Sequence, residues 1–127
     1  MSQLSSPALG RTPIAFALLL LLLLLGTRYA AAHAHLDRSE PRVDSAVTPA
    51  PREVSLSFTE GLEPAFSSVE VRDAAGARVD EGEAQISGRT MRVGLKALPP
   101  GTYKVYWRAL SVDTHKTEGT FTFRVER

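Results

Sequence analysis

The feature that most restricts the fold is a strict alternation of apolar and polar residues, repeated in five separate runs. Val54, Leu56 and Phe58 alternate with Ser55 and Ser57, Val69 and Val71 with Glu70 and Arg72, and Met91, Val93 and Leu95 with Arg92 and Gly94. Tyr103, Val105 and Trp107 alternate with Lys104 and Tyr106, and Phe121, Phe123 and Val125 with Thr122 and Arg124. Successive side chains of an extended chain point to opposite faces, so each run buries one face and wets the other. Turn-forming residues divide the runs: Pro49-Ala50-Pro51, Ala74-Ala75-Gly76, Ser87-Gly88, Pro99-Pro100-Gly101 and Glu118-Gly119. About seven short strands at this spacing predict an all-β fold, an antiparallel Greek-key sandwich or barrel. Tyr103, Trp107 and Met91 are expected on the inward side as core.

The first 32 residues follow different rules. Arg11 precedes an unbroken apolar run from Ile14 to Leu25, and Ala30-Ala31-Ala32 closes it with small residues, the three parts of a secretory signal peptide. The 12-residue run is short of the roughly 20 residues a membrane-spanning helix needs. Cleavage after Ala32 is therefore expected, leaving residues 33–127 as one domain outside the cytoplasm, periplasmic or extracellular. The leader holds two of the 15 Lys and Arg residues and none of the 14 acids, so the remaining 95 residues carry a formal net charge of −1. Basic residues are scattered among acids, which excludes the clustered footprint of a nucleic-acid-binding protein. With no cysteine, the chain has no disulfide-linked partner and no thiolate metal site. Histidine, carboxylate and terminal nitrogen remain as metal donors.

The chain's three histidines occur at two places. His33 and His35 begin the processed chain, and His115 lies in Ser111-Val112-Asp113-Thr114-His115-Lys116, between the last two patterned runs. In an extended segment Asp113 and His115 share a side and Thr114 points away. A D-x-H loop by itself reads better as a solvated charge pair than as a metal site. Its coincidence with a histidine at the cleavage site is what points to a metal. A terminal His offers α-amine and imidazole as one chelate, Asp113 and His115 complete an N/O set, and such ligation favours Cu(II), less often Ni(II). A second arrangement is local: His33-Ala34-His35 matches the amino-terminal copper and nickel motif, which uses deprotonated backbone amides. Against it, the His35 and Leu36 amides are wanted for sheet pairing. Glu60, Glu63 and Glu81 have no His at matching spacing and read as surface carboxylates.

These residues resemble the CopC domain of periplasmic copper-resistance and copper-homeostasis proteins. The resemblance runs through His33-Ala34-His35-Leu36, Ser39-Glu40-Pro41, Leu56-Ser57-Phe58, the stretch Pro100 to Val105 with Trp107, Ser111-Val112-Asp113-Thr114-His115, and Gly119. It implies a cupredoxin-like or immunoglobulin-like β fold and one Cu(II) per chain, held by His33, Asp113 and His115. His35 matches a histidine that supports the site rather than ligating. The resemblance also implies a copper buffer or a carrier that delivers copper to an inner-membrane transporter, not an enzyme. Some members carry a Met-rich Cu(I) segment. Here Met1 falls in the leader and Met91 on an apolar face, so no such segment is expected. Two other functions fit parts of the pattern: a copper-dependent polysaccharide monooxygenase with an N-terminal His chelate, and an immunoglobulin-like adhesion module without metal.

Overall fold

The structure, a computed structural model, describes residues 34–127; the leader and His33 lie outside the described residues. Eight strands follow in order: β1 (Leu36–Glu40), β2 (Ala46–Val47), β3 (Glu53–Phe58), β4 (Ser68–Asp73), β5 (Gln85–Ser87), β6 (Thr90–Gly94), β7 (Gly101–Leu110) and β8 (Lys116–Val125). One 3-10 turn, Pro64–Phe66, precedes β4. Strands β1-β3-β6-β5 form one sheet and β2-β8-β7-β4 the other. The chain passes repeatedly from sheet to sheet, in the Greek-key manner, and two separate four-stranded layers make this a sandwich rather than a closed barrel.

The period-two runs become the inner faces. Val54, Leu56, Phe58, Val69, Val71, Met91, Val93, Tyr103, Val105, Phe121, Phe123 and Val125 are all buried. Each large side chain so buried contributes roughly 1.5–3 kcal/mol of transfer free energy. Trp107 is half-buried and meets Phe58 of the opposite sheet edge-on, ring centroids 5.1 Å apart. Its ladder partner is Gly119, where a Cβ atom would stand 2.6 Å from the indole ring, so the ring occupies the place of a side chain. Tyr103 stacks on Phe123 at 5.6 Å and donates its hydroxyl to the Pro99 carbonyl, tying the entry of β7 to the core.

Two features go beyond the sequence reading. Strand β2 is parallel to β8, held by Arg124 N–H to Ser45 O (2.8 Å) and Glu126 N–H to Val47 O (3.0 Å). Two residues are too few to show a period. The second is Asp80, whose side chain is wholly buried. It accepts from Val71 N–H (2.8 Å), Gly82 N–H (3.0 Å) and the Arg78 guanidinium (3.0 Å), and so fastens the segment after β4 onto that strand. Burial alone would raise its pKa, but these hydrogen bonds outweigh burial and hold it below the ordinary carboxylate value.

Strands β7 and β8 pair over their full length, from Gly101 opposite Val125 to Leu110 opposite Lys116. The loop of residues 111–115 closes that hairpin. The segment after β3 runs alongside it, through a bridge between Leu62 and Ser111 and Val112 N–H to Gly61 O (3.0 Å). The segment entering β1 reaches the same end, pairing His35 with Thr59.

Candidate metal centre

Beyond the Leu110–Lys116 rung, Ser111 N–H donates to His115 O (3.0 Å) and Thr114 N–H to Ser111 O (2.9 Å), which closes a tight turn. Thr114 takes φ = 72°, a left-handed conformation uncommon for a residue with a side chain. The Ser111 side chain is wholly buried beneath this turn. Its hydroxyl accepts from His115 N–H (3.3 Å) and donates to Asp113 Oδ1, with the His115 carbonyl a longer alternative at 3.2 Å. The residues before β4 brace the hairpin from outside: Glu63 N–H donates to Leu110 O (2.8 Å) and Leu110 N–H to Ser67 Oγ (3.0 Å).

This turn brings Asp113 and His115 together, with Asp113 Oδ1 3.4 Å from His115 Nδ1. Each side chain is 41% exposed, open enough for a ligand to arrive and leave. Sequence alternation foresaw the pairing but for the wrong reason. The segment is not extended; the carboxylate is brought round by the turn at Thr114 and steadied by Ser111. The Ser111 hydroxyl, with a smaller contribution from His115, holds the Asp113 carboxyl below its ordinary pKa. Asp113 is therefore an ionised oxygen donor at neutral pH.

The second segment arrives from the N-terminal side. Ala34 is wholly buried, and its carbonyl accepts from the Thr117 hydroxyl at 2.6 Å. Thr117 stands two residues after His115, so the residue next to His33 is tied to the strand that follows the D-x-H loop. His35 N–H donates to Thr59 Oγ1 (2.9 Å) and His35 O accepts from Thr59 N–H (2.9 Å), while the His35 side chain is exposed. The His35 amide is thus engaged in the fold, and the local three-residue motif would have to break that bond. His33 lies outside the described residues. Among the described residues no three His, Cys, Asp or Glu side chains converge on one point, so Asp113 and His115 supply two donors and need another. Met91 is wholly buried in the core, Glu81 is exposed, and Glu60 and Glu63 are half-buried. Ser111 and Thr117 had no role in the sequence reading, because a hydroxyl's partner is visible only once the hairpin is closed.

A family model described as the CopC domain matches residues 36–126. This chain belongs to the CopC family. Protein YobA of Escherichia coli K12 is 35% identical over 115 residues, covering 87% of this chain and 93% of YobA. Copper transport protein CutJ of Bacillus subtilis is 33% identical over 112 residues, which are 85% of this chain but only 21% of CutJ, so there the CopC-like segment is a small part of a longer protein. The crystal structure of PcoC, a methionine-rich copper resistance protein from Escherichia coli, superposes with a TM-score of 0.66 at 35% identity, covering 75% of this chain and all of that one. The present CopC chain differs from that description in having only two methionines, Met1 and Met91.

Proposed function

We propose that this chain is exported, cut after Ala32, and binds one Cu(II) through the amine and imidazole of His33, the Asp113 carboxylate and the His115 imidazole. The observation that carries the reading is the Asp113–His115 pair at 3.4 Å, on a hairpin tied through Thr117 to Ala34, in a member of the CopC family. Imidazole, amine and carboxylate are an N/O donor set of the kind Cu(II) favours. His33 becomes a useful chelate only on cleavage, because an amide nitrogen has its lone pair delocalised into the carbonyl and an α-amine does not. The engaged amide and exposed ring of His35 support a role beside the site rather than in it. With Met91 buried, no thioether site for Cu(I) is assigned.

The protein's task is to buffer copper outside the cytoplasm or hand it to a membrane transporter, without catalysing a reaction. Half-exposed ligands suit exchange, and the CutJ likeness, a CopC-like segment within a copper transport protein, supports the link to transport. Calorimetric titration with Cu(II) tests the reading on two forms, one beginning at His33 and one carrying an extra residue before it. The first binds one Cu(II) with sub-micromolar or tighter affinity, and the second binds weaker by several orders of magnitude. His115→Ala and Asp113→Ala each weaken binding and change the paramagnetic resonance spectrum, with a smaller effect from His35→Ala. Equal affinity in the two forms, or loss of binding from His35→Ala alone, overturns the assignment.

A further inference from the structure

The donors assigned above come from segments 80 residues apart in sequence, so holding one Cu(II) between them requires the two segments to be tied together. Three backbone atoms of Ala34 and His35 are pinned. Ala34 O accepts from Thr117 Oγ1 (2.6 Å), His35 N–H donates to Thr59 Oγ1 (2.9 Å), and His35 O accepts from Thr59 N–H (2.9 Å). The two Thr59 bonds tie the segment to the chain leaving β3. The Thr117 bond ties it to β8, the strand that carries His115 at its entrance. Ala34 is wholly buried, so its carbonyl has little recourse to water if Thr117 is removed.

We propose that the Thr117 hydroxyl is a positioning group for the metal centre, holding the chain at Ala34 against the strand that follows Asp113 and His115 by donating to the Ala34 carbonyl. This rests on the Cu(II) reading above. Thr117 is not a ligand. It converts part of the ordering that metal binding would otherwise require into structure present beforehand, and preorganisation of this kind strengthens binding without adding a contact.

Thr117→Val keeps the shape and removes the donor; Thr117→Ser keeps the donor. In the processed protein beginning at His33, Thr117→Val is expected to weaken Cu(II) binding about tenfold, equal to about 1.4 kcal/mol. It should also alter the nitrogen hyperfine pattern of the resonance spectrum, with Thr117→Ser restoring both. A core variant that also lowers Tm, Val71→Ala, should leave affinity and spectrum unchanged, which separates positioning from general loosening. Should Thr117→Val not fold, Thr117→Ala is compared with Thr117→Ser in the same way. Unchanged affinity and spectrum in the donor-less variant, or an equal loss in Val71→Ala, overturns the proposal. Failure of the unaltered processed chain to bind Cu(II) overturns the underlying reading instead, and the two failures are distinct.

Discussion

Replacing Ser111 by Ala should separate stability from metal binding. The Ser111 side chain is wholly buried, yet most of what it serves is not: the Asp113 and His115 side chains are each 41% exposed, so water takes the hydroxyl's place at the carboxylate. The bonds that close the turn, Ser111 N–H to His115 O and Thr114 N–H to Ser111 O, are made by the backbone and survive. What the fold loses is one long bond accepted from His115 N–H at 3.3 Å. A neutral hydrogen bond of that kind contributes about 1 kcal/mol, a fall in Tm of roughly 4–8 °C for a domain of this size. The consequence at Asp113 is larger in kind, because the Ser111 hydroxyl is the leading cause of its lowered pKa. Without it the carboxyl should titrate nearer its ordinary value and wander from the His115 ring. Loss of that alignment is expected to cost about tenfold in Cu(II) affinity, about 1.4 kcal/mol. Thermal unfolding of the metal-free protein, NMR titration of the Asp113 carboxyl, and competition titration with Cu(II) read the three effects. An Asp113 carboxyl that titrates unchanged would refute the assigned role of Ser111. A Tm loss beyond about 15 °C would show instead that the hydroxyl is a pillar of the fold.

Two further predictions concern the frame. Asp80→Ala strands the buried Val71 N–H and should cost about 2–3 kcal/mol in urea unfolding, whereas Arg78, being half exposed, regains water. Because the folded Asp80 pKa lies below the unfolded one, its stabilisation is present above about pH 4 and is lost as pH falls through the folded value; Asp80→Asn should flatten that acid limb, and an unchanged pH profile would contradict the assignment. Gly119→Ala places a Cβ 2.6 Å from the Trp107 ring, which is held against Phe58, so the ring must move. Overpacking of this order costs about 1–3 kcal/mol and should change Trp107 emission; a Tm and emission spectrum like those of the parent would mean that the indole swings out freely.

How far the sequence could be read depended on the length over which a physical signal repeats. Strands β3, β4, β6, β7 and β8 announce themselves because burial of one face imposes a period of two, and Val54, Leu56 and Phe58 in β3 are its plainest statement. Strand β2 has two residues, and β1, Leu-Asp-Arg-Ser-Glu, places only Ser39 in the buried class, so neither has a period to detect. Asp80 escaped for a different reason: a carboxylate in a loop is ordinarily solvated, and only the closed fold reveals the amides of Val71 and Gly82 aimed at it. The candidate centre divides along the same line. Asp113 and His115 were legible because imidazoles are rare in this chain, and a rare residue type carries its chemistry wherever it falls. Ser111, Thr59 and Thr117 were not, since hydroxyls are common and take their meaning from partners distant in sequence: the Thr117 hydroxyl and the Ala34 carbonyl are 83 residues apart. The identity of the candidate donors is therefore encoded locally and their placement globally. A variant that preserves every donor can still lose metal affinity, which is why Thr117→Val and Ser111→Ala are more searching tests of this centre than deletion of His115.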